Sequence, residues 1–222
     1  TATRTITQDR TAPKATLISP DNASYLNNQT QNYTVNLSDN IGIKNATLYI
    51  YNLTNGLVNI TAITNFAENT LNAVAGIVVN LADGVYTWLY KVFDWAGNLF
   101  TTETRTLTID TTYPAINFTS PTPMNNSYLN GNSVSVNISV SDTNLGSTIV
   151  VLSNTSTLIN TTTSAAASIF LNYTSLSDGI YYINFTTNDS AGNMNVSQMR
   201  TLTIDTTNPQ INYGNGTLND KV

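Results

Sequence analysis

The sequence has no cysteine and no histidine in 222 residues. Zinc sites of the Cys/His kind, thiol nucleophiles, Ser-His-Asp triads, haem ligation and histidine pH switches are thereby excluded. Charge is scarce as well: 9 % of residues are charged, against about 25 % in an ordinary soluble domain. Glutamate occurs twice, lysine four times and arginine four times. A paired-carboxylate hydrolase needs two acids across a cleft, and acids this few, most of them in turns, point away from an enzyme. A net charge of −5 with scattered cations offers phosphates no basic stripe, so nucleic acid is not an expected partner. Apolar runs are only a few residues long, which leaves no membrane span within this chain. Neutral hydrogen-bonding side chains fill the gap, with 33 Asn, 38 Thr and 18 Ser. At 41 % hydrophobic the chain can still build cores, and its length suits two domains of about 100 residues.

Internal repeats organise the chain. The segment from Arg4 to Pro13 returns from Arg105 to Pro114 and again from Arg200 to Pro209. Asp83-Gly84 recurs at Asp178-Gly179, and Asp94 to Asn98 recurs at Asp189 to Asn193, both 95 residues on. Within each unit the apolar period is two: Val134, Val136, Ile138 and Val140 alternate with polar residues, as do Tyr181, Ile183 and Phe185. Tyr33, Val35 and Leu37, then Tyr86, Trp88, Tyr90 and Val92, repeat the pattern in the first unit. Such runs are half-buried strands, about seven per unit by this pattern, and read as an antiparallel β-sandwich. The expected divisions are residues 13–110 and 111–205. Residues 1–12 are expected to be the last strand of a preceding sandwich or a donor strand, and 206–222 a linker and the first strand of a following one. Phe66 to Val74 is the least strand-like stretch, with room for one turn.

Both units resemble the bacterial and archaeal immunoglobulin-like (Big-type) domains that occur in tandem in large surface proteins. The resemblance rests on the Ser24-Tyr-Leu-Asn27 start, the Asp39-Asn-Ile-Gly42 turn, the late Asp-Gly-X-Tyr and Asp-X-Ala-Gly-Asn signatures, and the Asp-Thr-Thr-X-Pro linker. It implies an all-β chain of tandem immunoglobulin-like β-sandwiches. Tyr86 and Tyr181 correspond to the tyrosine-corner position of such folds.

In that architecture the linker, the second-to-third loop and the sixth-to-seventh loop meet at one end. Asp9, Asp39 and Asp94 should therefore converge in unit one, and Asp110, Asp142 and Asp189 in unit two, each trio at an interdomain junction. Hard cations such as Ca²⁺ take about six to eight oxygens, which carboxylates, carbonyls and water can supply. Ca²⁺ held there would stiffen the hinge. The competing reading is that each Asp caps its own turn by accepting backbone N–H bonds. Asp83 and Asp178, at the opposite end and before Gly, read as turn residues.

Asn-X-Ser/Thr triplets number seventeen where composition predicts about eight. They start at Asn22, Asn28, Asn32, Asn36, Asn45, Asn52, Asn59, Asn117, Asn125, Asn137, Asn154, Asn160, Asn172, Asn184, Asn188, Asn195 and Asn215. Asn36, Asn137 and Asn184 fall on the polar faces of strands assigned by apolar period alone. The excess points to covalent N-glycans, which place the chain outside the cell and supply the solubility that charge usually provides; together with prokaryote-style repeats and no cysteine, they favour an archaeal surface over a eukaryotic one. The leading function is a structural one: a heavily N-glycosylated rod of sandwiches forming a cell-surface stalk, adhesin shaft or filament, with neighbouring copies or repeats as head-to-tail partners. The alternative is a carbohydrate- or ligand-binding accessory module of a secreted protein, with Trp95 and Tyr182 as exposed aromatics. The repeat remnants at the two ends fit either a slice of a longer array or a strand-donating subunit.

Overall fold

Alternating side chains become alternating burial in the computed structural model of the protein, which describes residues 8–211. Tyr33, Val35 and Leu37 are buried while their neighbours reach outward, and the same holds for Trp88, Tyr90 and Val92. The chain divides into two compact units whose main boundary lies between Tyr113 and Pro114. Among the described residues all regular structure is strand, and no helix is long and apolar enough to cross a membrane.

The first unit runs β1 (Lys14–Ser19), β2 (Ser24–Leu26), β3 (Thr30–Ser38), β4 (Ile43–Asn52), β5 (Leu57–Ile63), β6 (Asn72–Asn80), β7 (Gly84–Asp94), β8 (Leu99–Thr101) and β9 (Arg105–Ile109). One sheet has the order β1-β3-β6; the other has β2-β9-β7-β4-β5, with β8 also on β7. The second unit repeats this with β10 (Ala115–Thr119), β11 (Ser127–Leu129), β12 (Val134–Ser141), β13 (Leu145–Asn154), β14 (Leu158–Ser164), β15 (Ser168–Tyr173), β16 (Gly179–Asp189), β17 (Met194–Val196) and β18 (Arg200–Ile204). Its sheets are β10-β12-β15 and β11-β18-β16-β13-β14, with β17 on β16. The turn expected near Phe66 is present, closed by Thr70 N–H on the Ala67 carbonyl at 3.1 Å. Residues 8–13 form no strand, and the end segments 1–7 and 212–222 lie outside the described residues.

Each sandwich has nine strands where the apolar pattern shows about seven runs, and one of its pairings is parallel. The first strand is in two pieces on opposite sheets. Pro20 follows β1 and has no N–H to continue a ladder, so the chain leaves one sheet and rejoins the other as β2, which runs parallel to β9. Arg105 satisfies carbonyls at this crossing: its guanidinium donates to Leu17 at 3.0 Å and Pro20 at 3.1 Å, and it pairs with Glu103 at 3.0 Å. The repeated Arg of each unit thus holds the strand switch, since Arg200 donates likewise to Thr122 and Pro123 while lying over the Phe118 ring.

The first core is built on aromatics. The Tyr33 ring meets Trp88 edge-on with centroids 5.1 Å apart, Trp88 meets Tyr90 at 6.4 Å, and the Tyr90 hydroxyl donates to the Tyr33 carbonyl at 2.7 Å. Burial, and next the Tyr86 phenol, push the Tyr33 phenol above its ordinary value. Its hydroxyl is buried without a partner. Tyr33→Phe should therefore raise the melting temperature, gaining about 1 kcal/mol, whereas Tyr90→Phe should lose about as much. Equilibrium urea unfolding of the two variants tests this opposite pair of signs. The second core replaces the stack with Phe118 against Phe185, 5.0 Å apart, among aliphatic residues.

Asp83 and Asp178 do more than turn the chain. Asp83 accepts from Thr111 N at 2.9 Å, Thr111 Oγ1 at 2.9 Å and Thr112 Oγ1 at 3.2 Å, clasping the segment that leaves β9. Asp178 takes Thr206 and Thr207 in the same way. The hydrogen bond from the Thr111 amide first, then the hydroxyl bonds, holds Asp83 below its ordinary 3.8; for Asp178 the Thr206 hydroxyl leads. A lowered carboxyl contributes stability above its unfolded value that is lost as the pH falls through the folded one. Melting temperature should thus decline on acidification below about pH 4, and more shallowly in a double variant Asp83→Asn, Asp178→Asn. Tyr86 and Tyr181 close these same ends, their hydroxyls donating to the carbonyls of Ala82 at 3.0 Å and Ser177 at 2.8 Å.

Candidate metal centre

Asp9, Asp39 and Asp94 converge, each offering one carboxylate oxygen within 4.8 Å of the others. Asp9 belongs to the segment entering β1, Asp39 follows β3, and Asp94 ends β7. Local turns set each one. Asp39 Oδ2 accepts from the amides of Ile41 at 2.8 Å and Gly42 at 2.6 Å. Asp94 is fully buried, and both its oxygens are held by Asn98, at 2.8 Å from the amide and 2.7 Å from Nδ2. That reciprocal pair is what the Asp-X-Ala-Gly-Asn signature builds, and Gly97 permits its turn at φ +92°. Asn98 Nδ2 also reaches the carbonyls of Asp9 and Thr11 at 3.4 Å, tying the entry segment to the loop.

The turn-cap reading accounts for these bonds and leaves two oxygens over. Asp9 Oδ2 and Asp39 Oδ1 are buried with no hydrogen-bond partner. Asp9 Oδ1 takes the Thr11 amide at 3.0 Å and Asn40 Nδ2 at 3.3 Å, and no lysine or arginine pairs with the trio among the described residues. Burying an ionised carboxylate oxygen without donor or counter-charge is costly, and three converging carboxylates add mutual repulsion. A hard cation would remove both costs. Carboxylate oxygens, with the nearby Asp9 and Thr11 carbonyls, are the donor set Ca²⁺ prefers over softer metals.

Of the second trio, Asp110 and Asp189 fall in the first compact unit and Asp142 in the second. Asp189 is held by Asn193 at 2.8 Å from the amide and 2.6 Å from Nδ2, Asp142 caps Asn144 N at 2.7 Å, and Asp110 caps Thr112 N at 3.1 Å. Asn193 Nδ2 further donates to the Asp110 carbonyl at 2.8 Å. The asparagines Asn98 and Asn193 were missed as site residues by reasoning on charge; their signal was the fixed four-residue spacing from an Asp in both repeats.

Of the sequon asparagines, Asn215 lies outside the described residues and none of the others is buried. Asn22, Asn28, Asn32, Asn36, Asn52, Asn117, Asn125, Asn160, Asn172 and Asn188 are exposed; Asn45, Asn59, Asn137, Asn154, Asn184 and Asn195 are half-buried. Asn137 and Asn195 spend Nδ2 on the carbonyls of Ser120 and Pro114, both at 3.0 Å. Trp95 is a packing residue on Gly42, 47 % exposed, with Lys44 Nζ 5.7 Å from its ring.

No curated protein matches the chain. Among solved structures it is similar to a marsupial T cell receptor, with 10 % identity over 87 % of this chain and 73 % of that one at a TM-score of 0.53. Fibronectin(III)-like modules of Clostridium thermocellum CbhA align at 15 % identity over 86 % of this chain and 93 % of theirs, TM-score 0.41. A tetra-tandem repeat from the extending region of a large adhesion protein aligns at 19 % identity and TM-score 0.45, over 90 % of this chain, which spans 51 % of that structure's length. Residues 18–111 match one family model described as a bacterial Ig-like domain, and residues 119–206 match a second of the same description. The chain therefore belongs to the bacterial Ig-like domains, two of which it carries in tandem.

Proposed function

We propose that this chain is part of an extracellular structural protein: a section of a glycosylated rod whose first sandwich here fastens its entry segment with Ca²⁺. The pair of buried, unpartnered oxygens at Asp9 and Asp39 carries the calcium assignment, because turn capping leaves them unexplained. A cation bound there would tie the entry segment to two loops of the sandwich and restrict its bending. The load is borne by the strand ladders and the two cores. No part of this role needs a catalytic residue. Head-to-tail repeats or neighbouring copies are its partners, as the family's tandem habit within this chain supports.

Glycosylation completes the reading. Fourteen of the sixteen described sequon asparagines keep Nδ2 out of the hydrogen bonds that hold Asn137 and Asn195. Intact-mass measurement on native material, before and after deglycosylation, should show a mass well above that of the polypeptide. A mass that does not change on deglycosylation overturns the glycoprotein assignment.

A further inference from the structure

The outer face of the first sandwich's larger sheet carries apolar side chains from β4 and β7 between the polar Thr47, Thr87 and Lys91. Tyr49 and Tyr51 on β4 lie nearly parallel, with ring centroids 6.4 Å apart and 7° between planes. Leu89 is the cross-strand partner of Tyr49, and Lys91 Nζ stands 5.0 Å from the Tyr49 ring. Phe93 extends the row along β7. In the second sandwich the 95-residue period puts Asn184 and Asn188, both sequon asparagines, at the places of Leu89 and Phe93.

One sequon asparagine stands on this face itself. The β4–β7 register shifts between Ile43 and Asn45, which lets Ile43 and Ala46 both enter the core and sets Asn45 opposite Phe93. Bulges re-aim side chains in this way, and directly opposed residues bring their Cβ atoms to about 4.5–5.5 Å. Asn45 Oδ1 is buried without a partner, while Nδ2 is neither sealed off nor hydrogen-bonded. The second sandwich repeats the juxtaposition with the strands exchanged: Ser147 on β13 donates to Oδ1 of the sequon Asn188 on β16, at 3.1 Å from N and 2.8 Å from Oγ.

We propose that a sugar chain on Asn45 lies across Phe93 towards Tyr49, so that the protein's own glycan covers this face. The proposal rests on the glycoprotein reading. Attachment joins Nδ2 to the anomeric carbon of an oligosaccharide carried on a lipid phosphate: the new C–N bond replaces the C–O bond to that phosphate, which leaves with the electron pair, and one amide proton passes to solvent. The apolar face of a pyranose ring then removes Phe93 and Tyr49 from water, as an aromatic neighbour would.

The test begins with site-resolved mass spectrometry of the native protein, which depends on no variant folding. Asn45 should carry sugar on most chains. Next, Asn45→Gln should lower the melting temperature of protein made in the glycosylating host by about 4 °C or more, and should change nothing in protein made without glycosylation. In a Phe93→Ser background the Asn45→Gln effect should vanish. Sugar at other sequons with Asn45 bare overturns the seat alone, as do additive effects of the two substitutions. Protein bare at every sequon overturns the glycoprotein reading and the seat with it. Concentration-dependent dimers lost on Phe93→Ser, with no Asn45 effect on melting, give the face to a second copy and overturn the proposal.

Discussion

Trp88→Ala should remove about 3–5 kcal/mol from the first sandwich, a large share of the 5–15 kcal/mol typical of a domain. Trp88 is fully buried between Tyr33 and Tyr90, at the centre of the larger sheet. Truncation deletes two ring contacts and leaves a void bounded by both sheets, which strand ladders cannot close without breaking register. The indole Nε1 is buried without a partner, so Trp88→Phe should cost much less than the alanine change, because it trades volume for relief of that unpaired donor. The second sandwich, with Ile183 at the matching position, provides the internal reference. Calorimetry of the two variants and the parent measures this. A loss in the alanine variant below about 1 kcal/mol would mean the core can collapse around the gap.

Calcium should have the second large effect. A ligand present at 100 times its dissociation constant stabilises the folded state by about 2.7 kcal/mol. For a domain of this size that is roughly 10–20 °C in melting temperature. Chelation with EGTA should therefore cause a clear downward shift, reversed by Ca²⁺. Asp39→Asn supplies the sharper test because its sign depends on the metal. Without Ca²⁺ it removes one of three repelling carboxylates and should be neutral or stabilising; with Ca²⁺ it should abolish most of the shift. If the aspartates act as turn caps alone, chelation does nothing and Asp39→Asn weakens the turn at Ile41 and Gly42 under both conditions.

The features legible in the sequence are those whose cause is local or periodic. Val134 to Val140 and Trp88 to Val92 disclose strands because burial alternates with the side chains, and the repeated segments mark the units directly. The convergence of Asp9, Asp39 and Asp94 was also readable, since strand order alone brings their loops to one end. Features that depend on distant partners were not. Nothing near Ser24 announces that this segment will leave the sheet of β1 and run parallel to β9. Asp83 looks like a turn residue until the chain returns 28 residues later with Thr111. The unpaired state of Asp9 Oδ2 and Asp39 Oδ1 is equally invisible, because it is set by what the fold fails to place beside them.

The parallel pairing of β2 with β9 has a mechanical consequence. Tension that enters a sandwich at its first strand and leaves at its last pulls these two strands in opposite directions along a shared axis. The three facing pairs from Ser24–Leu107 to Leu26–Ile109, bracketed by bonds from Ala23 N to Thr106 O at 2.8 Å and from Asp110 N to Leu26 O at 2.9 Å, are then loaded in shear and must yield together. An antiparallel hairpin pulled at its open end would instead unzip one bond at a time. The second sandwich has the same arrangement between β11 and β18, so each unit carries a shear lock at the places where force would enter and leave.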